Sequence, residues 1–226
     1  IQAEGLPMTL SANQIVILLL SWLGYAVLHS LLAALGFKRW LLTRWPDLGP
    51  AYRLAFNVLA VVLLIPPLWL TMAWSGALLW AWSGAWAWLA NALALAAVAG
   101  FVWSTRYYDM AVFSGSAQWH SRHRGAEDPG GLRLSPLHRY VRHPWYSLGL
   151  LILWTRDMDE ARLISTLCIT LYLWLGSLLE ERKLLAFHGE AYARYRARVA
   201  GLIPLPGHIL SAQEAQALCR LPPRAD

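Results

Sequence analysis

The sequence predicts an all-α, multi-pass transmembrane helical bundle of about five spans, the last two forming a short hairpin. Three observations carry this. Only 14% of the 226 residues are charged and 58% are hydrophobic, whereas soluble domains carry about 25% charged residues. No Asp, Glu, Lys or Arg occurs from Leu54 to Thr105, and one crossing takes about 20 apolar residues, so that run holds two crossings and a turn. Threaded as five spans, the chain places 17 of its 19 Lys and Arg on one side.

Span one covers residues 14–37, is uncharged, and ends at Lys38-Arg39. It contains His29, and an imidazole in a span is costly enough to mark a functional candidate. Residues 38–53 read as a polar loop turning at Trp45-Pro46. Span two, residues 54–74, carries Pro66-Pro67, which predict a kink that neighbouring helices can satisfy. Asn57 is placed to hydrogen-bond between helices. Residues 73–88 hold five Trp, the composition of an aromatic belt at the membrane surface. Span three follows at 86–105. Nothing is built on the seven residues before Met8, and no cleavable signal peptide is expected.

Residues 106–142 form the longest hydrophilic stretch. It holds Tyr107-Tyr108-Asp109, a cluster around His120 and His123, and a Gly/Pro-rich turn at 128–131. Pro144 then opens an apolar segment, because proline suits a helix's first turn. That segment is only 11 residues long, Trp145–Thr155. A charged turn at 156–162 leads into a second limb, 163–179, that ends at Glu180-Glu181. Beyond it, Leu184, Leu185, His188, Tyr192, Tyr195 and Val199 keep helical spacing with basic residues between them, which predicts an amphipathic surface segment bent at Gly189. The tail from 205 reads as loose. One membrane domain, 1–226, is expected.

The excess of Lys and Arg (net +6) fits topology and anionic lipid headgroups rather than nucleic acid. By the positive-inside rule the N-terminus lies outside and the C-terminus in the cytoplasm. Cys168 and Cys219 imply no disulfide framework.

Arg142-His143 and Glu180-Glu181 thus flank one hairpin at one face. In one reading the helix simply continues to about Val199 and the acids face water beside Arg182-Lys183. In the other, a cationic ligand or Arg142 faces one of them. Adjacent helical residues diverge by about 100°, so one acid points inward.

The run Arg142-His143-Pro144-Trp145-Tyr146, the hairpin, Glu180-Glu181, then Phe187, Gly189, Tyr192, Tyr195 and Pro204 resembles the isoprenylcysteine carboxyl methyltransferase and phospholipid methyltransferase superfamily. His188 departs from that pattern. His29-Ser30, Phe37-Lys38-Arg39, Tyr52-Arg53 with Asn57, and Tyr108-Asp109 before Phe113 and Gln118 are similar to its methanethiol S-methyltransferase and NnrU-like branch. The resemblance implies S-adenosylmethionine as methyl donor and no metal. A Glu, 180 or 181, would pair its amino group. Arg142 or His143 would pair its carboxylate, and Tyr140 and Tyr146 its adenine or sulfonium. Pro144 belongs to the same element. Catalytic roles fall to Arg142 and Glu181, with His29, His143 or Tyr108 aiding a thiol acceptor, whose thiolate is the nucleophile. A small thiol, a prenylcysteine-like carboxylate or another lipid-like acceptor all fit. A bacterial cytoplasmic membrane is the expected location. The competing reading is a non-catalytic, NnrU-like assembly factor for a respiratory complex. A di-iron oxygenase lacks its His-x-x-His-His box here.

Overall fold

A computed structural model describes residues 9–121 and 132–221. His123 and the turn at 128–131 lie outside the described residues. The elements run α1 (Ala12–Ala33), α2 (Leu35–Arg44), α3 (Gly49–Ala73), β1 (Leu78–Trp80), α4 (Gly84–Ser104), α5 (Met110–Ser114), α6 (Ser116–Ser121), α7 (Pro144–Trp154), β2 (Met158–Asp159), α8 (Glu160–Arg198) and α9 (Ala212–Cys219). Among the described residues four stretches are long and apolar enough to cross a membrane: Ala12–Ala33, Pro46–Ala73, Gly84–Tyr107 and Glu160–Arg198. The short limb is α7, with 11 residues. Leu20, Val61, Trp69, Met72 and Leu95 stand outward, each forgoing about 1.5–3 kcal/mol of burial if the surround were water. The chain is a multi-pass helical membrane protein.

By its contacts the chain sorts into two compact units. One comprises residues 1–87, 108–126 and 156–169, the other 88–107, 127–155 and 170–226.

In the first unit α1 begins at a capping box. The Ser11 hydroxyl accepts from the Gln14 N–H at 3.3 Å, and the Gln14 side chain accepts from the Ser11 N–H at 2.9 Å. Leu18, Trp22 and Ala161 form its core. Trp22 Nε1 donates to Ser165 Oγ at 2.9 Å, and Ser165 Oγ sits 2.6 Å from Thr71 Oγ1. Span one does not run on to Phe37 as expected. Ala34 is extended, and α2 starts anew at Leu35. The break lets Lys38, Arg39 and Arg44 leave the line of an apolar span.

The Trp-rich stretch and the charged turn are joined by a short ladder. Leu78–Trp80 pairs antiparallel with Met158–Asp159. Glu160 Oε2 accepts from the Leu10 N–H at 2.6 Å, which gives a carboxylate of the charged turn a backbone partner. Asp109 caps α5 through the Ala111 and Val112 N–H groups, at 3.0 and 3.1 Å. Asn57 Nδ2 donates to the Phe113 and Ser114 carbonyls, and Arg53 Nε to that of Phe113. Between α5 and α6, Gly115 has φ +92°, and a Cβ there would stand 2.5 Å from the Leu54 backbone nitrogen. Only glycine lets the chain approach α3 so closely.

In the second unit, α7 and the later part of α8 are tied at both ends. Trp154 Nε1 donates to Thr170 Oγ1 at 3.1 Å, and the Tyr146 hydroxyl to Glu180 Oε2 at 3.2 Å. The helix α8 is interrupted at Gly189, whose φ is 52° and ψ −123°. The interruption is a reversal rather than a bend. Glu181 and Val199 would stand about 27 Å apart on a straight helix, yet one guanidinium, that of Arg142, touches both. The returning segment buries Ala191, Tyr192, Tyr195 and Val199 against Leu132, Leu210 and Ala215.

The tail read as loose is ordered as far as it is described, to Leu221. A capping box at Ser211 and Glu214 starts α9, and Leu210 and Ala215 sit in the core just described. Leu218 and Leu221 pack against the same core. The helix is only eight residues long and follows a proline-rich loop, which hides it in the sequence.

Candidate cofactor site

Arg139-Tyr140-Val141-Arg142-His143 is held as backbone before any side chain acts. The Arg142 N–H reaches the Ala200 and Gly201 carbonyls at 2.8 and 3.0 Å, and the His143 N–H reaches Gly201 at 3.2 Å. Val141 and Ala200 form an isolated parallel bridge. Pro144 is buried at the start of α7. This strip fixes where Arg142 and His143 point.

Glu181 is the inward acid, only 3% exposed. Arg142 Nε and Nη2 each lie 2.8 Å from its Oε1. His143 Nε2 lies 3.1 Å from the same oxygen, and Arg196 Nε 3.4 Å from Oε2. Arg142 Nη1 donates to the Arg196 carbonyl at 3.2 Å and to that of Val199. All three guanidinium nitrogens are therefore engaged inside the protein, and the guanidinium also covers carbonyls at the end of α8. A carboxylate this buried is sustained by such pairing.

Glu180 is the outward acid, its side chain 47% exposed. Its Oε2 takes the Tyr146 hydroxyl and lies 3.4 Å from His143 Nδ1. His143 thus bridges the two acids through its two ring nitrogens. Its ring stacks on Tyr146, with centroids 5.4 Å apart and planes at 10°. Tyr140 is exposed, with the Arg139 guanidinium 5.7 Å above its ring.

Two further contributors, His138 and Tyr192, were given no site role from sequence. His138 Nδ1 accepts from the Ser135 N–H at 3.1 Å. Burial, reinforced by nearby His143 and opposed by Glu180, pushes its pKa down to about 4. The Tyr192 hydroxyl is buried and has no hydrogen-bond partner among the described residues, though Glu181, Arg142, Glu180 and Arg196 all lie within its electrostatic reach. Its signal was present in the run Phe187, Gly189, Tyr192, Tyr195, but spacing alone could not separate site from core.

The structure therefore brings Arg142, His143, Tyr146, Glu180 and Glu181 into one hydrogen-bonded cluster, with Tyr140 on the same strip. His29 and Tyr108 belong to the first unit. There the His29 ring packs between Tyr25 and Phe56, at centroid distances of 5.4 and 5.1 Å.

Known proteins were compared with this sequence. The chain is 34% identical over 210 residues to methanethiol S-methyltransferase 2 of Bradyrhizobium diazoefficiens, covering 88% of this chain and 76% of that protein. The chain belongs to the methanethiol S-methyltransferase family. Members of this family are methyltransferase enzymes within the isoprenylcysteine methyltransferase-like superfamily. The Mycobacterium tuberculosis methanethiol S-methyltransferase is 32% identical over 205 residues, covering 86% of this chain and 80% of its own length. The Crocosphaera subtropica methanethiol S-methyltransferase reaches 42% identity over 71 residues, but that match covers only 28% of its length. No family model matches, and no solved structure matches.

Proposed function

We propose that this protein transfers a methyl group from S-adenosylmethionine to methanethiol or a similar small thiol, at the cytoplasmic face of a bacterial membrane. The observation that carries this reading is the near full-length likeness to the Bradyrhizobium protein named for that activity. The NnrU-like assembly role finds no counterpart among the relatives just described. The N-terminus outside and the C-terminus in the cytoplasm complete the reading, on the Lys and Arg distribution.

The residues present fit the cofactor. A half-exposed carboxylate on Glu180 offers an acceptor for an ammonium group, and exposed Tyr140 offers a flat apolar face. The buried, unpartnered Tyr192 hydroxyl offers a donor beside the cluster. S-adenosylmethionine, when bound, supplies a methyl group on a sulfonium, which passes in line to the acceptor sulfur and leaves a neutral thioether.

In this reading Glu180, His143, Tyr146 and Tyr140 face the cofactor. Arg142 and Glu181, occupied with each other, act by fixing His143 and the returning segment of α8 rather than by clamping the cofactor's carboxylate. His29 and Tyr108 serve the acceptor, orienting the thiol or taking its proton. Much of the rate then comes from holding donor and acceptor in line.

Protein purified into nanodiscs, given methyl-labelled S-adenosylmethionine and methanethiol, should release labelled dimethyl sulfide into the headspace. Cofactor binding without labelled product would overturn the thiol assignment, and a panel of prenylcysteine-like carboxylates and lipids would then be tried. Absence of cofactor binding would overturn the whole reading.

A further inference from the structure

Three apolar side chains crowd the loop between the site and α9. Ile203, Leu205 and Ile209 are 70%, 49% and 45% exposed. Single exposed apolar residues are ordinary. Three within seven residues form a patch, and patches mark contact surfaces.

We infer that this loop is an interfacial anchor whose apolar side chains enter the lipid beside the cofactor cluster. The argument is one of level. Tyr146 and Glu180 join the two hairpin limbs where both leave their apolar segments. One residue further along α7, the Ser147 hydroxyl donates to the Leu202 carbonyl. The next Cα along the chain lies about 3.8 Å from that of Leu202. Ile203 is thereby tethered beside the first apolar turn of α7.

The loop's far end is fixed to the same strip. The Leu210 N–H donates to the Arg139 carbonyl at 3.0 Å, and Arg139 Nε donates to the Leu210 carbonyl at 2.9 Å. Both ends are thus tied to the segment 139–147 that carries the site and opens α7, and the apolar side chains between them are exposed.

Its backbone suits that place. An irregular backbone stays at the interface, where water meets its N–H groups, and only the side chains enter lipid; Pro204 and Pro206 lower the number of N–H groups to be met. The His208 N–H is satisfied by the Leu205 carbonyl at 3.1 Å. In the same unit, Leu171, Leu175 and Leu179 on α8 also stand outward, so this unit presents apolar side chains of like chemistry on a helix long and apolar enough to cross a membrane. A bilayer is the occupant that needs no matching partner surface. This inference is independent of the methyl-transfer reading.

The test is depth measurement by spin labelling. Single cysteines I203C, L205C and I209C are introduced after Cys168→Ser and Cys219→Ser, labelled with a nitroxide, and placed in nanodiscs of mixed phosphatidylcholine and phosphatidylglycerol. L175C on outward-facing α8 is the lipid control, and Q213C on exposed α9 the water control. Collision with oxygen should exceed collision with a water-soluble nickel chelate at all three loop sites, as at 175. A water-like ratio, as at 213, overturns the inference. So does low accessibility to both reagents, the sign of a second protein copy covering the loop. Three independent sites keep the test decisive if one variant fails to fold.

Discussion

Gly189→Ala tests the reversal that brings the site together. At φ 52° and ψ −123° an L side chain is strained, at a cost of about 1–3 kcal/mol. For a chain of this size about 2–4 °C of melting temperature is lost per kcal/mol, so a fall of about 2–12 °C is expected. The consequence is specific. Without the reversal, Arg142 loses the Arg196 and Val199 carbonyls, and Arg196 loses Glu181. Gly176→Ala is the matched control on the same helix, because nothing lies within 4 Å of the added methyl and its φ is helical. There alanine should stabilise by about 0.5–1 kcal/mol. Both variants are melted in detergent with and without S-adenosylmethionine. The reversal argument fails if the two variants melt alike, or if Gly189→Ala keeps the full cofactor-induced rise.

Three further outcomes are expected. Glu181→Gln leaves Arg142 buried without its counter-charge and should destabilise by about 3–5 kcal/mol, whereas Glu180→Gln, half in solvent, should change stability by under about 1 kcal/mol yet weaken cofactor binding; thermal melting and a binding titration separate the two. Tyr192→Phe removes a buried hydroxyl with no partner, so the cofactor-free protein should melt unchanged or higher while its cofactor-induced rise shrinks; a lower cofactor-free melting temperature would refute the assignment. For His138, held down at about 4 against an ordinary 6.5, the unfolded chain binds the extra proton between those values, so its stabilisation is complete above pH 6.5 and fades as pH falls towards 4. The loss amounts to about 3 kcal/mol, and His138→Gln should flatten this part of the stability–pH curve if the assignment is right.

Sequence patterning reached the spans, the short hairpin and the meeting of Arg142-His143 with Glu180-Glu181, because each leaves a local signature: an uncharged run, a proline at a helix start, paired acids after apolar residues. It missed what depends on backbone paths. Gly189 read as a bend, since a single glycine shows only that φ is free, not that the chain turns back. Arg142 read both as a partner for one of the acids and as a clamp for a ligand; its contact with Glu181 was among those readings, but spacing does not reveal the Val199 carbonyl that the reversal delivers to it. Leu210, Ala215, Leu218 and Leu221 read as tail, since a helix of only eight residues after Pro204 and Pro206 leaves a weak signal. Arg53 and Asn57 were visible as polar residues near an apolar span, but their partner, the Phe113 carbonyl, is an atom every residue carries.

The paired acids show why a doubled motif is needed at all. Had α8 ended at Glu181, two carboxylates would face the negative end of the helix dipole. The helix instead continues, and the 100° between neighbours gives the acids different surroundings. Glu181 enters a cage of Arg142, His143 and Arg196, while Glu180 stays at the opening with Tyr146. One acid sets the geometry, and the other remains able to meet a cation. His143, in contact with both, couples them, so a ligand pulling on Glu180 acts on the ring that Glu181 holds. A single acid at either position would leave either the arginine unpaired or the opening without charge.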